Sequence, residues 1–214
     1  MDHRTIRQIA GAQHGLISHR QVISAGGTDR SIEWMIHSGR WDAVRPSVYL
    51  VGVGGERSWP QPAMAAVLAA GTDAYAGFRT AARLHGLVDR TGRLELLTDG
   101  YRRVRLPGVL THRTIHLGPE DVTMVAGVPT TSVNRTLIDL GARQSEATLG
   151  RWIDQCLLGG QTDVASLARR TSELNLRGRP RPVSLMRALA LRADGHDPGR
   201  SALEARVIAA AAAH

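Results

Sequence analysis

The chain has 214 residues, 43% hydrophobic and 21% charged, which allows one large domain or two modest ones, each able to bury a core, and places it in the soluble globular range. Its net charge of +8 rests on arginine, for the sequence contains no lysine; that excludes a Walker A phosphate loop, a lysine Schiff base and a kinase-type phosphate-clamping lysine. A single cysteine, Cys156, excludes an internal disulfide, no apolar run reaches the roughly 18 residues of a membrane span, and the opening MDHRTIRQIAGAQHG lacks a secretory h-region, so a cytoplasmic protein is expected.

Residues Arg4 to His14 carry Ile6, Ile9 and Ala10 at helical spacing and predict a first helix. The stretch Leu16 to Val51 then reads as helix, tight turn, second helix and short hairpin. Ser18 and Gln21 form an S-x-x-Q capping box at the start of one helix, Gly26 and Gly27 supply the turn, and Thr28 or Asp29 caps the next helix. In that second helix Ile32, Met35 and Ile36 make an inward stripe, while Arg30, Glu33, Trp34 and His37 occupy the opposite face. Gly39 closes it, with Arg40 just beyond. Val44, Val48 and Leu50 suit a two-stranded ribbon turning at Arg45-Pro46-Ser47. This is the order of parts in a winged helix-turn-helix, which binds duplex DNA because its second helix fits the major groove while cationic groups on the wing and helix ends reach phosphates. The expected DNA-binding residues are Ser18, Arg20, Gln21, Thr28, Arg30, Ser31, Glu33, Trp34, His37, Arg40 and Arg45.

The run Gly52 to Glu56 is the first credible linker, so the sequence divides into 1–54, a region 57–175, and an Arg-rich tail 176–214. The middle region predicts helices near Pro62 to Ala70 and over FRTAARLHGL, closed by Gly86. Strands follow at Leu94 to Leu97, Val109 to His112 and Val122 to Val125, and then helices over Ser132 to Ala142, Glu146 to Leu158 and Asp163 to Leu174. Strands followed by helices, without strict alternation, argue for an α+β fold with a small antiparallel sheet and C-terminal helices rather than a doubly wound one. LRGRPRP at Leu176 to Pro182 reads as a second linker, followed by a short helix Val183 to Ala193 and a terminal one, Ser201 to His214, whose apolar stripe has nothing after it to pack against.

Charge is uneven. Met1 to Gly54 has six Arg against four acids, Gly77 to Gly118 eight against three, Pro119 to Asn175 five against seven, and Leu176 to His214 seven against three. In the most basic block, DGYRRVRLPG sets Arg102, Arg103 and Arg105 beside Tyr101, a composition suited to further phosphate contacts and equally to a solvated hairpin loop.

The texts AGAQHGLISHRQVISAGGTDRSIEWMIHSGRWDAVRPSVYLVG, FRTAARLHGL, DVTMVAGVPTTS (a hairpin) and SVNRTLIDLGAR, in this order, resemble the actinobacterial proteins with an AbiEi-type antitoxin N-terminal domain, the antitoxin side of type IV toxin-antitoxin systems. The resemblance covers about Met1 to Leu174. It implies a winged DNA-binding domain acting as repressor on inverted repeats near its own promoter and a following domain that opposes a nucleotidyltransferase toxin; a palindromic site would in turn favour a homodimer on DNA by symmetry. Family members are usually richer in Arg or Lys along the second helix, where this chain has Glu33, Trp34 and His37. In many relatives the text resembling RSALEARVIAAAA opens a nuclease domain similar to very-short-patch repair endonucleases, and here only its first helix is present.

No cofactor, metal site or catalytic residue is expected. His112 and His116 are too few for a metal, no G-x-S-x-G is present, Arg83, His85 and Asp89 suggest only a helix end, and Cys156 suits an inert core thiol. The leading expectation is therefore a non-enzymatic DNA-binding regulator. Its rivals are the DNA-targeting portion of a metal-dependent endonuclease, to which Glu204 would be an outlying carboxylate, and a protein-interaction module built on the mildly acidic Pro119 to Asn175.

Overall fold

The computed structural model describes residues 1–52, 58–100, 103–174 and 181–192. It is an α+β fold in which two sheets share one intervening helix.

The first 52 residues run α1 (His3–Ala12), β1 (Leu16–Ser18), α2 (His19–Ser24), α3 (Asp29–His37), β2 (Trp41–Arg45) and β3 (Val48–Val51). The three strands form an antiparallel sheet in the order β1-β3-β2. Local chemistry sets each helix start. The Asp2 carboxylate accepts from the N–H groups of Arg4 and Thr5, and Ser18 with Gln21, then Thr28 with Ser31, make reciprocal capping boxes, which satisfy N–H groups that have no partner inside the helix. Between α2 and α3 the two glycines do different jobs. Gly26 adopts φ +74°, whereas a Cβ on Gly27 would sit 2.6 Å from Val22 Cγ1 and 2.9 Å from the Val22 carbonyl oxygen. Behind this frame Ile6, Ile17, Val22, Ile32, Met35, Trp41 and Tyr49 form one buried cluster, with Ile36 packed on its edge. Each such side chain contributes about 1.5–3 kcal/mol of apolar burial.

Strand β1 goes beyond the sequence expectation, because three residues are too few to display a period of two. It exists through its partner, with Leu16, Ile17 and Ser18 paired to Leu50, Tyr49 and Val48. The β2–β3 ribbon turns at the expected Arg45-Pro46-Ser47, with Ser47 at φ +58°, and its register slips between Ala43 and Arg45. Val44, in the slip, is exposed.

From residue 58 the elements are α4 (Pro60–Ala70), β4 (Ala74–Ala76), α5 (Phe78–Leu84), β5 (Leu94–Asp99), β6 (Val109–Thr114), a 3-10 turn (Pro119–Asp121), β7 (Val122–Val125), β8 (Val128–Thr131), α6 (Val133–Leu140), α7 (Glu146–Leu158), α8 (Val164–Leu174) and α9 (Val183–Ala190). The sheet order is β6-β5-β4-β8-β7. β4–β5 and β7–β8 are antiparallel, while β5–β6 and β4–β8 run parallel, so this sheet is mixed where an antiparallel one was expected. The turn residues mark where strands end; the direction in which the chain re-enters the sheet depends on what the intervening loop packs against.

Adjacent side chains of β5 point to opposite faces. Leu94 and Leu96 join Ala63 to Val67 of α4, and Leu97 joins α5 to α9 on the other side. The α4 cluster also takes in Leu16 and Val48 of the first sheet, so apolar packing is continuous between residues before and after 53–57. Polar ties reinforce it, as Gln61 donates to the His14 carbonyl at 2.9 Å and the His14 ring meets the Ala126 carbonyl at 2.6 Å.

Beneath α6, Arg135 is fully buried. It donates to Asp139 (2.9 Å), to the His116 carbonyl (2.6 Å) and to Asp121 (3.0 Å), which also binds Arg170 at 2.6 Å. Burial pulls the Asp121 carboxyl upward, but hydrogen bonds from Arg170 and the Gly118 N–H, with the charges of Arg135 and Arg170, hold it below the ordinary carboxylate value. Two arginines and two acids here clamp the 3-10 turn to α6 and α8. The expected linker around Val53 to Glu56, most of LRGRPRP, and the terminal helix with Glu204 lie outside the described residues. Among the described residues no helix is long and apolar enough to cross a membrane.

Candidate nucleic-acid interface

The residues expected to meet a ligand fall into two groups. Ser18, Gln21, Thr28 and Ser31 are engaged at helix starts: Ser18 and Thr28 accept from backbone N–H groups, and the Gln21 amide also pairs with Gln13 at 2.9 Å. Arg20, Arg30, Glu33, Trp34, His37 and Arg40 are exposed.

On α3, Arg30, Glu33, Trp34 and His37 fall at i, i+3, i+4 and i+7 and so share one face, opposite the buried Ile32 and Met35. Trp34 keeps 55% of its surface in water. Most large apolar side chains in this unit are sealed, so an exposed indole flanked by charge stands out. The Arg40 guanidinium lies 4.7 Å from its ring centroid, which braces the indole with a cation while leaving one ring face open. The His37 Nδ1 lies 3.0 Å from the Glu33 carbonyl. A carbonyl can only accept, so Nδ1 carries a proton and Nε2 points away from the helix backbone.

Two residues missed by the sequence reading set the attitude of α3. His19, the first residue of α2, contacts the Tyr49 hydroxyl through Nδ1 (3.2 Å) and Asp29 in the first turn of α3 through Nε2 (3.1 Å). Tyr49 in turn stacks on Trp41, with centroids 6.0 Å apart. This chain of contacts ties both helices to the β2–β3 ribbon. No local signal could have revealed it, since His19 and Tyr49 are 30 residues apart.

Arg45, one of the expected DNA-contacting residues, sits at the ribbon tip. It is half-buried, burial lowers its pKa, though an arginine stays charged at neutral pH, and it donates to the Pro107 carbonyl at 3.1 Å. The structure thereby joins the ribbon to the basic block that the sequence showed as a separate feature. Arg103 and Arg105 of that block are exposed; Arg102 and Tyr101 lie outside the described residues. Beside α2, a cleft of about 450 Å³ is bounded by Ser18, Arg20 and Gln21 on one side and by Leu68, Asp73 and Tyr75 on the other.

Several titratable groups away from this face are engaged within the fold. His112 pairs with the largely buried Glu95 at 2.7 Å, with its ring against Phe78. His85 binds the Thr131 carbonyl at 2.8 Å, and burial lowers its pKa. Burial pushes the Cys156 thiol up to about 12, so at neutral pH it remains a thiol. Asp154 receives Arg192 at 2.6 Å and 2.7 Å, which pins α9 to α7.

No protein-family model matches this chain. No curated protein matches it either. Among solved structures it is similar to the RV2827C protein from Mycobacterium tuberculosis, with a TM-score of 0.54 and 19% identity, over 92% of this chain and 78% of that one. At that identity the likeness concerns the fold.

Proposed function

We propose that residues 1–52 are a winged helix-turn-helix that binds duplex DNA, with α3 in the major groove and the β2–β3 ribbon as the wing, and that the protein is a non-enzymatic transcriptional regulator of the AbiEi antitoxin type. The observation that supports this best is the order α1-β1-α2-α3-β2-β3 around a β1-β3-β2 sheet, combined with an α3 whose outer face is exposed and chemically suited to base edges. Arg30 offers the paired donors that suit guanine, Glu33 can accept from the cytosine amino group, and the apolar edge of Trp34 suits a thymine methyl. Arg20 and Arg40, both exposed, would bind phosphates and fix register without reading sequence. Autoregulation and a nucleotidyltransferase toxin as partner belong to this proposal through the family resemblance, and a homodimer on DNA through the symmetry of a palindromic operator.

The test is fluorescence anisotropy of the full chain against the duplex upstream of its own gene and a scrambled duplex, across a range of salt. Tighter binding to the native duplex near physiological salt is expected, with log K falling linearly in log salt as counterions are released. Replacing Arg30 with alanine should cost about 1–3 kcal/mol on the native duplex and relax discrimination at one base pair. Equal binding to both duplexes, abolished by modest salt, would remove the regulator reading.

A further inference from the structure

Resting on that reading, we propose that the wing is composite: the phosphate-contacting element beside the β2–β3 tip is the segment 103–106, and Arg45 is the strut that positions it rather than a phosphate ligand itself. Along this segment exposure alternates, with Arg103 and Arg105 exposed and Val104 and Leu106 partly buried. The two apolar side chains pack against the cluster that joins α4 and the second sheet to Leu16 and Val48 of the first, so the arginines are carried on the outside of a stretch whose inner side is anchored to the core. Three hydrogen bonds hold its course: Thr111 Oγ1 donates to the Val104 carbonyl at 2.7 Å, the Val109 N–H donates to the Leu106 carbonyl at 3.2 Å, and Arg45 donates to the Pro107 carbonyl at 3.1 Å.

The register slip between Ala43 and Arg45 gives this geometry a cause. A bulge bends its strand and re-aims the side chain that follows, and here the guanidinium after the slip is turned back on the protein. A cation half-sealed against a carbonyl is poorly placed to displace counterions from DNA. Two exposed guanidiniums on an anchored segment are well placed to do so, since anchoring lowers the ordering entropy that binding would otherwise cost. The partner is the sugar-phosphate backbone of duplex DNA flanking the bases read by α3, and the contribution is independent of sequence.

The experiment uses the full chain and the two duplexes of the anisotropy assay. Arg103→Ala/Arg105→Ala should make the slope of log K against log salt shallower by about 1.8, at about 0.9 per lost phosphate contact, equally on native and scrambled duplexes. A control with the same charge loss, Arg151→Ala/Arg187→Ala on α7 and α9, should leave the slope unchanged. Arg45→Ala should weaken binding in the wild-type background and add little to Arg103→Ala/Arg105→Ala, a non-additivity that a direct phosphate contact by Arg45 would not produce. Wild-type binding with a slope unaltered by Arg103→Ala/Arg105→Ala would overturn the composite wing and leave the regulator reading standing. Absence of wild-type binding to either duplex at low salt would overturn both.

Discussion

The two parts of the molecule treat charge in opposite ways. In residues 1–52 no charged side chain is buried, Ser18, Thr28 and Asp2 close helix starts, and the arginines of α2 and α3 stand in water. From residue 58 onward charge goes inside: Arg135 and Asp121 are fully sealed, and Asp154 and Glu95 nearly so. The contrast separates two roles for the same residue types. A guanidinium enclosed with its carboxylate holds elements of the fold in register, whereas one left on an exposed helix face has unsatisfied donors to offer a partner.

The sharpest way to break this contrast is to remove one half of a buried pair. Asp121→Ala leaves Arg135 with Asp139 as its remaining carboxylate and takes from Arg170 its buried partner, and should cost about 3–5 kcal/mol in urea denaturation; a cost below 1 kcal/mol would mean that the interior charges are solvated and the two regions are alike. The same carboxylate predicts a pH dependence. Its folded pKa is depressed, so its stabilisation is complete above the unfolded value near 3.9 and is lost as pH falls through the lower folded value. Thermal melts should therefore show stability dropping below about pH 4, with a flatter profile in Asp121→Asn.

Within the first region the effects should be smaller and local. Gly27→Ala places a methyl against Val22 side chain and carbonyl. It should cost about 1–3 kcal/mol by overpacking and shift α3 relative to α2, seen as lost duplex binding in a still-folded chain by circular dichroism. Ser18→Ala deletes one cap and should cost about 1 kcal/mol. Trp34→Ala sharpens the comparison from the other side: stability should stay within about 0.5 kcal/mol, while discrimination between native and scrambled duplexes declines. A large loss of stability there would reassign the indole to packing.

Much of the first region was legible because its determinants are local. The Ser18–Gln21 box, the Thr28 cap, the Ile32–Met35 stripe and the turn at Arg45-Pro46-Ser47 each act over a few residues, and the same holds for the α7 bounds, Glu146–Leu158. The candidate face on α3 followed from helical period alone. Strands β1 and β4 escaped because three residues carry no period, and the parallel pairings escaped because strand direction is not written in a strand. The bond from Arg45 to Pro107 escaped because the residues around Arg45 describe a hairpin tip and say nothing of a carbonyl 62 residues away.

The sequence by itself thus determined where most of the helices lie, which sides of them are apolar, and that arginine alone would carry the fixed positive charge. Only the tertiary structure decided which arginines remain available. Arg135 and Arg170 are held by Asp121 and Arg192 by Asp154, and Arg45 gives one N–H to the Pro107 carbonyl, while Arg30, Arg103 and Arg105 stay exposed. The physical reason is range. Capping and periodicity act within about one helical turn along the chain, whereas ion pairing and burial act over a few ångströms in space between residues that only the finished fold brings together.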